Sequence, residues 1–158
     1  MNKDHQEKNV SAIPKGFHAV TPYIIVDDAQ KALDFYEKAL GAKVIYKMEI
    51  APGEVAHAEF SVGDSIIMMA GSSPDMYLQP QIGEFRPVSF MVYVPDVDAA
   101  AERALKAGMK LIKEVRDQFY GDRAGTFEDP FGHVWTLGTH IEDVSPEELK
   151  KRAEHVYN

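Results

Sequence analysis

The sequence repeats itself imperfectly at an offset of about 68 residues, and this repeat constrains the fold strongly. The stretch VTPYIIVDDAQKALDFYEKALGAKVI, which begins at Val20, matches VSFMVYVPDVDAAAERALKAGMKLI, which begins at Val88. In both copies an apolar run ends near an aspartate, Asp28 or Asp96, and a helical pattern follows. Two copies of one supersecondary unit predict a pseudo-symmetric domain. A cavity shared by the two copies is then the expected position of a functional site.

Within each copy, hydrophobic periodicity predicts one strand, one helix and three further strands. One helix is predicted at 29–40 and the other between Asp96 and Gly108. The predicted strands are 18–26, 43–50, 55–62 and 65–70 in the first copy, and 87–94, about 110–115, 123–129 and 133–138 in the second.

The predicted elements divide the chain into five parts. The segment Ser145-Pro146-Glu147-Glu148 is a capping box with proline at the first helical position, and it begins a C-terminal helix through about Val156. We expect that helix to pack on the body of the protein or on a second subunit. The parts are a mobile tail at 1–16, a first βαβββ module at 17–71, a linker at 72–86, a second module at 87–140 and a helical extension at 141–158.

Composition excludes several classes of protein. The chain has 158 residues, no cysteine and a formal net charge of −8, so it has no disulfide framework and no thiolate chemistry. The acidic balance and the scattered basic residues argue against a nucleic-acid partner. No apolar run is long enough to span a membrane, and the N-terminus does not read as a signal peptide. We therefore expect a cytoplasmic protein whose partner is a small molecule.

A histidine and a carboxylate stand close together on one predicted strand. His57 and Glu59 are two residues apart, so their side chains point to the same face. Ala58 and Phe60 fill the opposite face, which we expect to pack against the helix. The His–Glu face is then the concave, ligand side, where such a pair can transfer protons or hold a metal. A solvated or cross-strand hydrogen-bonded pair is the alternative.

Other side chains are open to two interpretations. Arg123 can grip an anionic ligand or brace its own loop. Trp135 can offer a stacking face in the cavity, although a single tryptophan is more often a core residue. Met68 can contribute to an adaptable pocket or to ordinary core filling. His140 can reach the cavity mouth, whereas we expect His133 to cap the DPFG turn.

The paired βαβββ order, with VDDAQKALDFYEKALGAKV in the first copy and EDPFGHVWTLGTH in the second, resembles the vicinal oxygen chelate superfamily. This superfamily includes glyoxalase I, bleomycin-resistance proteins, fosfomycin-resistance enzymes and extradiol dioxygenases. The stretch YGDRAGTFEDPFGHVWTLGTHIEDVSPEE is most similar to a branch typified by a protein of bacterial phosphonate operons. The resemblance, over about residues 18–140, implies an α+β fold in which two tandem modules form a curved sheet around a ligand cavity. It also implies a homodimer.

Enzymatic members of the superfamily hold a divalent metal with His and Glu from the first and last strands of each module. The resemblance places Thr21 and Ser89 at the first-strand positions, and Thr136 and either Ile67 or Met68 at the last-strand positions. Hydroxyls with an apolar or thioether group are a poor donor set for a divalent ion. We therefore expect no metal and no other cofactor, as in the bleomycin-resistance type.

The sequence thus predicts a metal-independent protein that binds a small molecule between its two modules. The alternative is a glyoxalase-like lyase or isomerase, or a dioxygenase, with a non-standard metal or acid/base site around His57 and Glu59. A structural interaction module is a third, weaker alternative. The residues expected to line the ligand site are Thr21, His57, Glu59, Met68, Ser89, Arg123, Trp135 and Thr136.

Overall fold

The computed structural model describes residues 11–71 and 88–157, so the predicted linker at 72–86 and most of the predicted tail at 1–16 lie outside the described residues. The element order is the predicted one, a βαβββ unit twice and then a helix. The elements are β1 (Tyr23–Val26), α1 (Ala29–Leu40), β2 (Lys43–Ala51), β3 (Glu54–Val62), β4 (Ser65–Gly71), β5 (Phe90–Tyr93), α2 (Val97–Ala107), β6 (Lys110–Asp117), β7 (Asp122–Glu128), β8 (Val134–His140) and α3 (Pro146–Tyr157).

Local sequence signals set the ends of the first two helices. The Asp28 carboxylate accepts from the backbone amide of Lys31 at 3.0 Å, and Asp96 caps α2 in the same way. Gly41 ends α1 in a left-handed conformation with φ of 66°. β1 is shorter than predicted because Pro22 has no N–H to pair, although its carbonyl still accepts from the amide of Met68.

Each module forms its own four-stranded mixed sheet. The strand orders are β1-β4-β3-β2 and β5-β8-β7-β6, with the first and last strands of each module paired in parallel. Tyr23 lies opposite Met68 in the first sheet, and Met91 lies opposite Thr136 in the second. Met68, rather than Ile67, is therefore the structural equivalent of Thr136. The expected α+β architecture of two tandem βαβββ modules and a C-terminal helix is confirmed.

The two modules meet through their helices. α1 and α2 are in contact, and one hydrophobic core continues from the first module into the second. Tyr36 of α1 reaches the second module, where its hydroxyl donates to Asp129 at 2.7 Å and its ring lies beside Trp135. A ring nitrogen of His133 lies 2.9 Å from the carbonyl oxygen of Ile25. The helix-facing side of each sheet is thereby buried. Among the described residues, no helix is both long and apolar enough to cross a membrane.

Candidate functional site

The face of the first sheet that points away from α1, called here the first outer face, carries the predicted His–Glu pair. Two rows of side chains cross this face because cross-strand partners share a face. His57 and Glu59 lie near its centre on β3, while Ala58 and Phe60 are buried towards the core. The first row is Tyr23, Met68, Glu59 and Tyr46, and the second is Ile25, Ala70, His57 and Met48.

A phenol and a carboxylate flank the imidazole of His57. Nδ1 lies 3.0 Å from the hydroxyl oxygen of Tyr23, and Nε2 lies 3.6 Å from Oε1 of Glu59. The side chains of His57 and Glu59 are only 21% and 20% exposed. If the Tyr23 hydroxyl donates to Nδ1, the proton of the neutral imidazole sits on Nε2 and faces Glu59. The ring of Tyr46 lies 6.4 Å from the imidazole, centroid to centroid.

Glu59 lacks a close donor within the described part of the chain. Its contact with His57 is longer than a normal hydrogen bond, and no shorter polar contact reaches it from residues 11–71 or 88–157. A half-buried carboxylate prefers a donor. The first outer face therefore offers an acceptor to a ligand beside aromatic and thioether side chains.

The internal repeat shows which residues stand at the equivalent positions of the second module. Ala124 and Thr126 lie opposite Gly138 and Thr136 in the second sheet, as His57 and Glu59 lie opposite Ala70 and Met68 in the first. The second module therefore forms the same sheet with an alanine and a threonine at the equivalent positions. The His–Glu pair thus distinguishes the first module from the second.

The positions that the resemblance matches to metal ligands do not fit a divalent ion. The hydroxyl of Thr21 donates to the carbonyl oxygen of His18 at 3.1 Å, and that of Thr136 lies 3.0 Å from the Thr126 hydroxyl. Ser89 precedes β5 and is exposed. In the two described ranges, no three His, Cys, Asp or Glu side chains are grouped to hold a metal. Hydroxyls engaged elsewhere and the thioether of Met68 are poor ligands for a hard cation.

Two further predicted site residues, Arg123 and Trp135, donate hydrogen bonds to aspartates of the protein itself. Arg123 donates to both carboxylate oxygens of Asp98, at 2.8 Å each, and to Asp117 at 2.9 Å, so it braces β7 against α2 and β6. Trp135 is fully buried, and its indole N–H donates to Asp129 at 2.8 Å. The structure therefore agrees with the bracing interpretation of Arg123 and with the core interpretation of Trp135.

The structure does not bring the whole predicted set into one place. Thr21, His57, Glu59 and Met68 belong to the first module, whereas Ser89 and Thr136 belong to the second, and the modules form separate sheets. A groove of about 480 Å³ lies at the start of α1 and at the β2–β3 turn, and the residues that line it all belong to the first module. The groove lies at the ends of β1 and β4, and neither His57 nor Glu59 lines it.

A second polar cluster lies at the ends of three strands of the second sheet. Asp122 is buried, and its two carboxylate oxygens contact the Tyr93 hydroxyl at 2.9 Å and Nδ1 of His140 at 2.8 Å. Nε2 of His140 lies 2.9 Å from Asp143. Asp143, and then Asp122, raise the pKa of His140 by hydrogen bonding. The sequence predicts that His140 can reach the cavity mouth. Its partner Asp122 is identified by the pairing of β7 with β8, which places the two residues opposite each other.

The chain is similar to known proteins in both sequence and fold. A model of the Glyoxalase/Bleomycin resistance protein/Dioxygenase superfamily matches residues 16–137. The chain belongs to this superfamily. An uncharacterized protein of Mycobacterium tuberculosis, Rv0887c, is 32% identical over 154 residues, which cover 95% of this chain and 91% of that protein.

Solved structures share the superfamily fold. TioX from Micromonospora sp. ML1 superposes with a TM-score of 0.64 at 23% identity, over 77% of this chain and 98% of TioX. A mutant of the fosfomycin resistance protein FosX from Listeria monocytogenes, complexed with Mn(II) and a dihydroxypropylphosphonic acid, has a TM-score of 0.58 at 20% identity, over 84% of this chain and 94% of FosX. At these identities, the likeness establishes the fold alone.

Proposed function

We propose that this protein binds a small molecule on the first outer face, around His57, without a divalent metal. The observation that carries the proposal is the half-buried Tyr23–His57–Glu59 cluster, whose His–Glu pair has no counterpart in the second module. Membership of the glyoxalase and bleomycin-resistance superfamily supports ligand binding in general. The chemistry of the bound molecule follows from the side chains around the cluster.

The first outer face supports a ligand with an apolar body and a hydrogen-bond donor. Tyr46 and Met48 of β2 offer a ring and a thioether, and Met68 lies directly opposite Glu59 on β4. Thioethers adapt to irregular ligands, and aromatic rings provide stacking surface. Glu59 supplies the acceptor that orients the donor. Ligand sites commonly combine apolar walls with a few such polar groups.

Thermal shift assays with a library of small molecules test the binding site. A ligand that binds the native state raises the midpoint temperature of unfolding. We expect ligands that stabilise the wild-type protein to lose most of that effect in His57→Ala and Glu59→Gln. Glu49→Gln is the matched control because Glu49 pairs with Lys47 on an exposed part of β2. Equal stabilisation of the wild-type protein and both site variants would exclude this site.

Metal independence is proposed from the donor set at the metal positions of the family. Thr21, Ser89, Thr136 and Met68 together provide no imidazole, carboxylate or thiolate. Elemental analysis of protein purified without chelators should find far less than one divalent metal per chain. A stoichiometric metal that Thr136→Ala removes would overturn the proposal, because that metal would then be bound at the family position.

We also propose that the protein is a homodimer. β2 and β6 are edge strands, and both expose large apolar side chains, including Ile45 and Ile50 of β2 and Leu111 and Ile112 of β6. Exposed apolar edge strands are sites of association. A second copy of this chain is the occupant we propose, because it would present the same self-complementary surfaces.

The alternative function is catalysis by proton transfer at the same cluster. The Tyr23–His57–Glu59 arrangement favours it, since an imidazole between a phenol and a carboxylate can exchange a proton with a ligand. For a reaction of glyoxalase or lyase type, His57 would be the proton-transfer group. If any turnover detected for the wild-type protein survives unchanged in His57→Ala and Glu59→Gln, this alternative fails.

A further inference from the structure

The cluster of Tyr93, Asp122 and His140 is a second asymmetry between the modules. Ile25 is the equivalent of Tyr93, since these residues lie opposite Ala70 and Gly138 respectively. Val55 is the equivalent of Asp122, two residues before the paired positions His57 and Ala124. The first module therefore buries a valine where the second buries a carboxylate. Burial of a charge opposes folding unless partners compensate for it, so the scaffold alone does not explain Asp122.

Asp122 fixes the orientation of His140. Its carboxylate receives the Tyr93 hydroxyl on one oxygen and Nδ1 of His140 on the other. The imidazole is half exposed, with Nε2 directed towards the solvent side where Asp143 lies. The raised pKa keeps more of this imidazole protonated at neutral pH than in a free histidine. In its protonated form, His140 therefore presents an oriented Nε2–H donor at the surface.

The Asp143 carboxylate accepts from Nε2 of His140, but Asp143 is weakly held in this position. Its side chain is fully exposed, and it lies three residues after His140 in the connection to α3. Exposed ion pairs of this kind contribute little stability. The Asp143 carboxylate is therefore an oxyanion that another oxyanion can replace at small cost.

We propose that Nε2 of His140 binds the carboxylate of a small molecule and that Asp143 takes this place when no such molecule is bound. His140 is the contacting residue, and Asp122 is a positioning residue. The exposed ring of Tyr93, whose hydroxyl shares Asp122 with His140, provides apolar surface near the carboxylate. The site lies in the second module and does not depend on the ligand proposed for the first outer face.

Surrounding charges favour a monoanion. With Asp143 displaced, Asp122 and protonated His140 form a neutral pair. The nearby carboxylates of Glu142, in the connecting segment, and Glu148, on α3, are both paired with Arg152. A carboxylate adds one negative charge to this environment, whereas inorganic phosphate at neutral pH adds up to two. We therefore expect a carboxylate to bind more tightly than phosphate.

The test is a titration of the full-length protein with benzoate, followed through the imidazole nitrogen and carbon-bound proton resonances of His140 by NMR. We expect benzoate to shift these resonances saturably and inorganic phosphate to shift them less. At pH 5.5, where the imidazole is largely protonated with or without Asp143, Asp143→Asn removes the internal competitor and should tighten benzoate binding up to about fivefold. Asp122→Asn should lower the pKa of His140 and weaken binding most at high pH.

Two controls separate this site from the first outer face. Glu59→Gln should bind benzoate as the wild-type protein does, and His140→Gln should lose the binding while its backbone spectrum stays native. Unchanged affinity in Asp143→Asn overturns the proposal, even if His140→Gln does not fold. Equal shifts by phosphate and benzoate, or loss of binding in Glu59→Gln, overturn it as well.

Discussion

The buried carboxylate of Asp129 joins residues from both modules. Oδ1 accepts from the backbone amides of Phe131 and His133, at 2.9 Å each. Oδ2 accepts from the Tyr36 hydroxyl at 2.7 Å and the Trp135 indole at 2.8 Å. Burial and the nearby carboxylate raise the pKa of Tyr36, so its hydroxyl remains a donor across the accessible pH range. Four donors compensate for the burial of this charge.

Tyr36→Phe should therefore destabilise the protein without changing its fold. The variant removes one donor from a buried carboxylate, and we expect the free energy of unfolding to fall by about 1–3 kcal/mol. Urea denaturation measures this loss. Tyr46→Phe is the control, since Tyr46 is exposed, and it should change stability by less than about 0.5 kcal/mol. Equal stability of Tyr36→Phe and the wild-type protein would contradict the role given to this hydrogen bond.

His140 should make stability depend on pH in a defined direction. Asp143 and Asp122 raise its pKa in the folded state above the unfolded value of about 6.5. The contribution of His140 to the free energy of unfolding is therefore complete below its pKa in the unfolded state. It is lost as the pH rises through its pKa in the folded state. We expect the difference in melting temperature between the wild-type protein and His140→Gln to shrink from pH 5.5 to pH 9. A difference that grows with pH would contradict this assignment.

At the scale of elements, the turn before β7 depends on a glycine. Gly121 has φ of 97°, and its carbonyl oxygen accepts from the amides of Ile141 and Glu142. A Cβ at this position would overlap the backbone carbonyl oxygen of Glu142. The turn and the segment after β8 are thus closely apposed, next to Asp122 and His140. Only glycine permits both the conformation and the approach.

Gly121→Ala should be more destabilising than a matched glycine substitution. We expect a loss on the order of 3 kcal/mol, because the clash and the left-handed backbone conformation add together. Gly53 also has positive φ, but a Cβ there would meet nothing within 4 Å, so Gly53→Ala should cost only about 1–2 kcal/mol. Urea denaturation of both variants compares them. Similar losses would mean that the approach of Glu142 does not constrain the turn.

At the scale of the whole molecule, the modules meet at their helices and leave apolar strands exposed. β2 and β6 each lie at an edge of their sheet, and their residues are almost all exposed. An exposed apolar surface of this kind is unusual for a monomer. The proposed homodimer would remove it from water.

Sedimentation velocity should therefore detect a dimer at micromolar concentration. Ile112→Glu, on the exposed strand β6, should shift the protein towards a monomer because it would place a charge in an apolar interface. Leu105→Glu is the matched control, since Leu105 is similarly exposed but lies on α2. A wild-type protein that is monomeric at all concentrations, or an Ile112→Glu variant that remains dimeric, would contradict the proposal.

Features that depend on neighbouring residues along the chain could be predicted from the amino-acid sequence alone. The aspartate caps and helix-ending glycines, the alternation along β3 that places His57 and Glu59 on one face, and the doubled βαβββ order all follow from short-range periodicity. These signals also carried the resemblance to the superfamily. They act over a few residues, where backbone geometry fixes the direction of each side chain.

Contacts between residues that are distant in the sequence became known only from the three-dimensional fold. Tyr23 contacts His57 across 34 positions, and Tyr36 contacts Asp129 across 93. Strand register, which no local pattern encodes, brought Asp122 beside His140 and identified Met68 as the equivalent of Thr136. The packing of α1 against the second module placed Trp135 in the core. Burial and hydrogen bonding are properties of the assembled sheets, so they decide the roles of residues that the sequence left open.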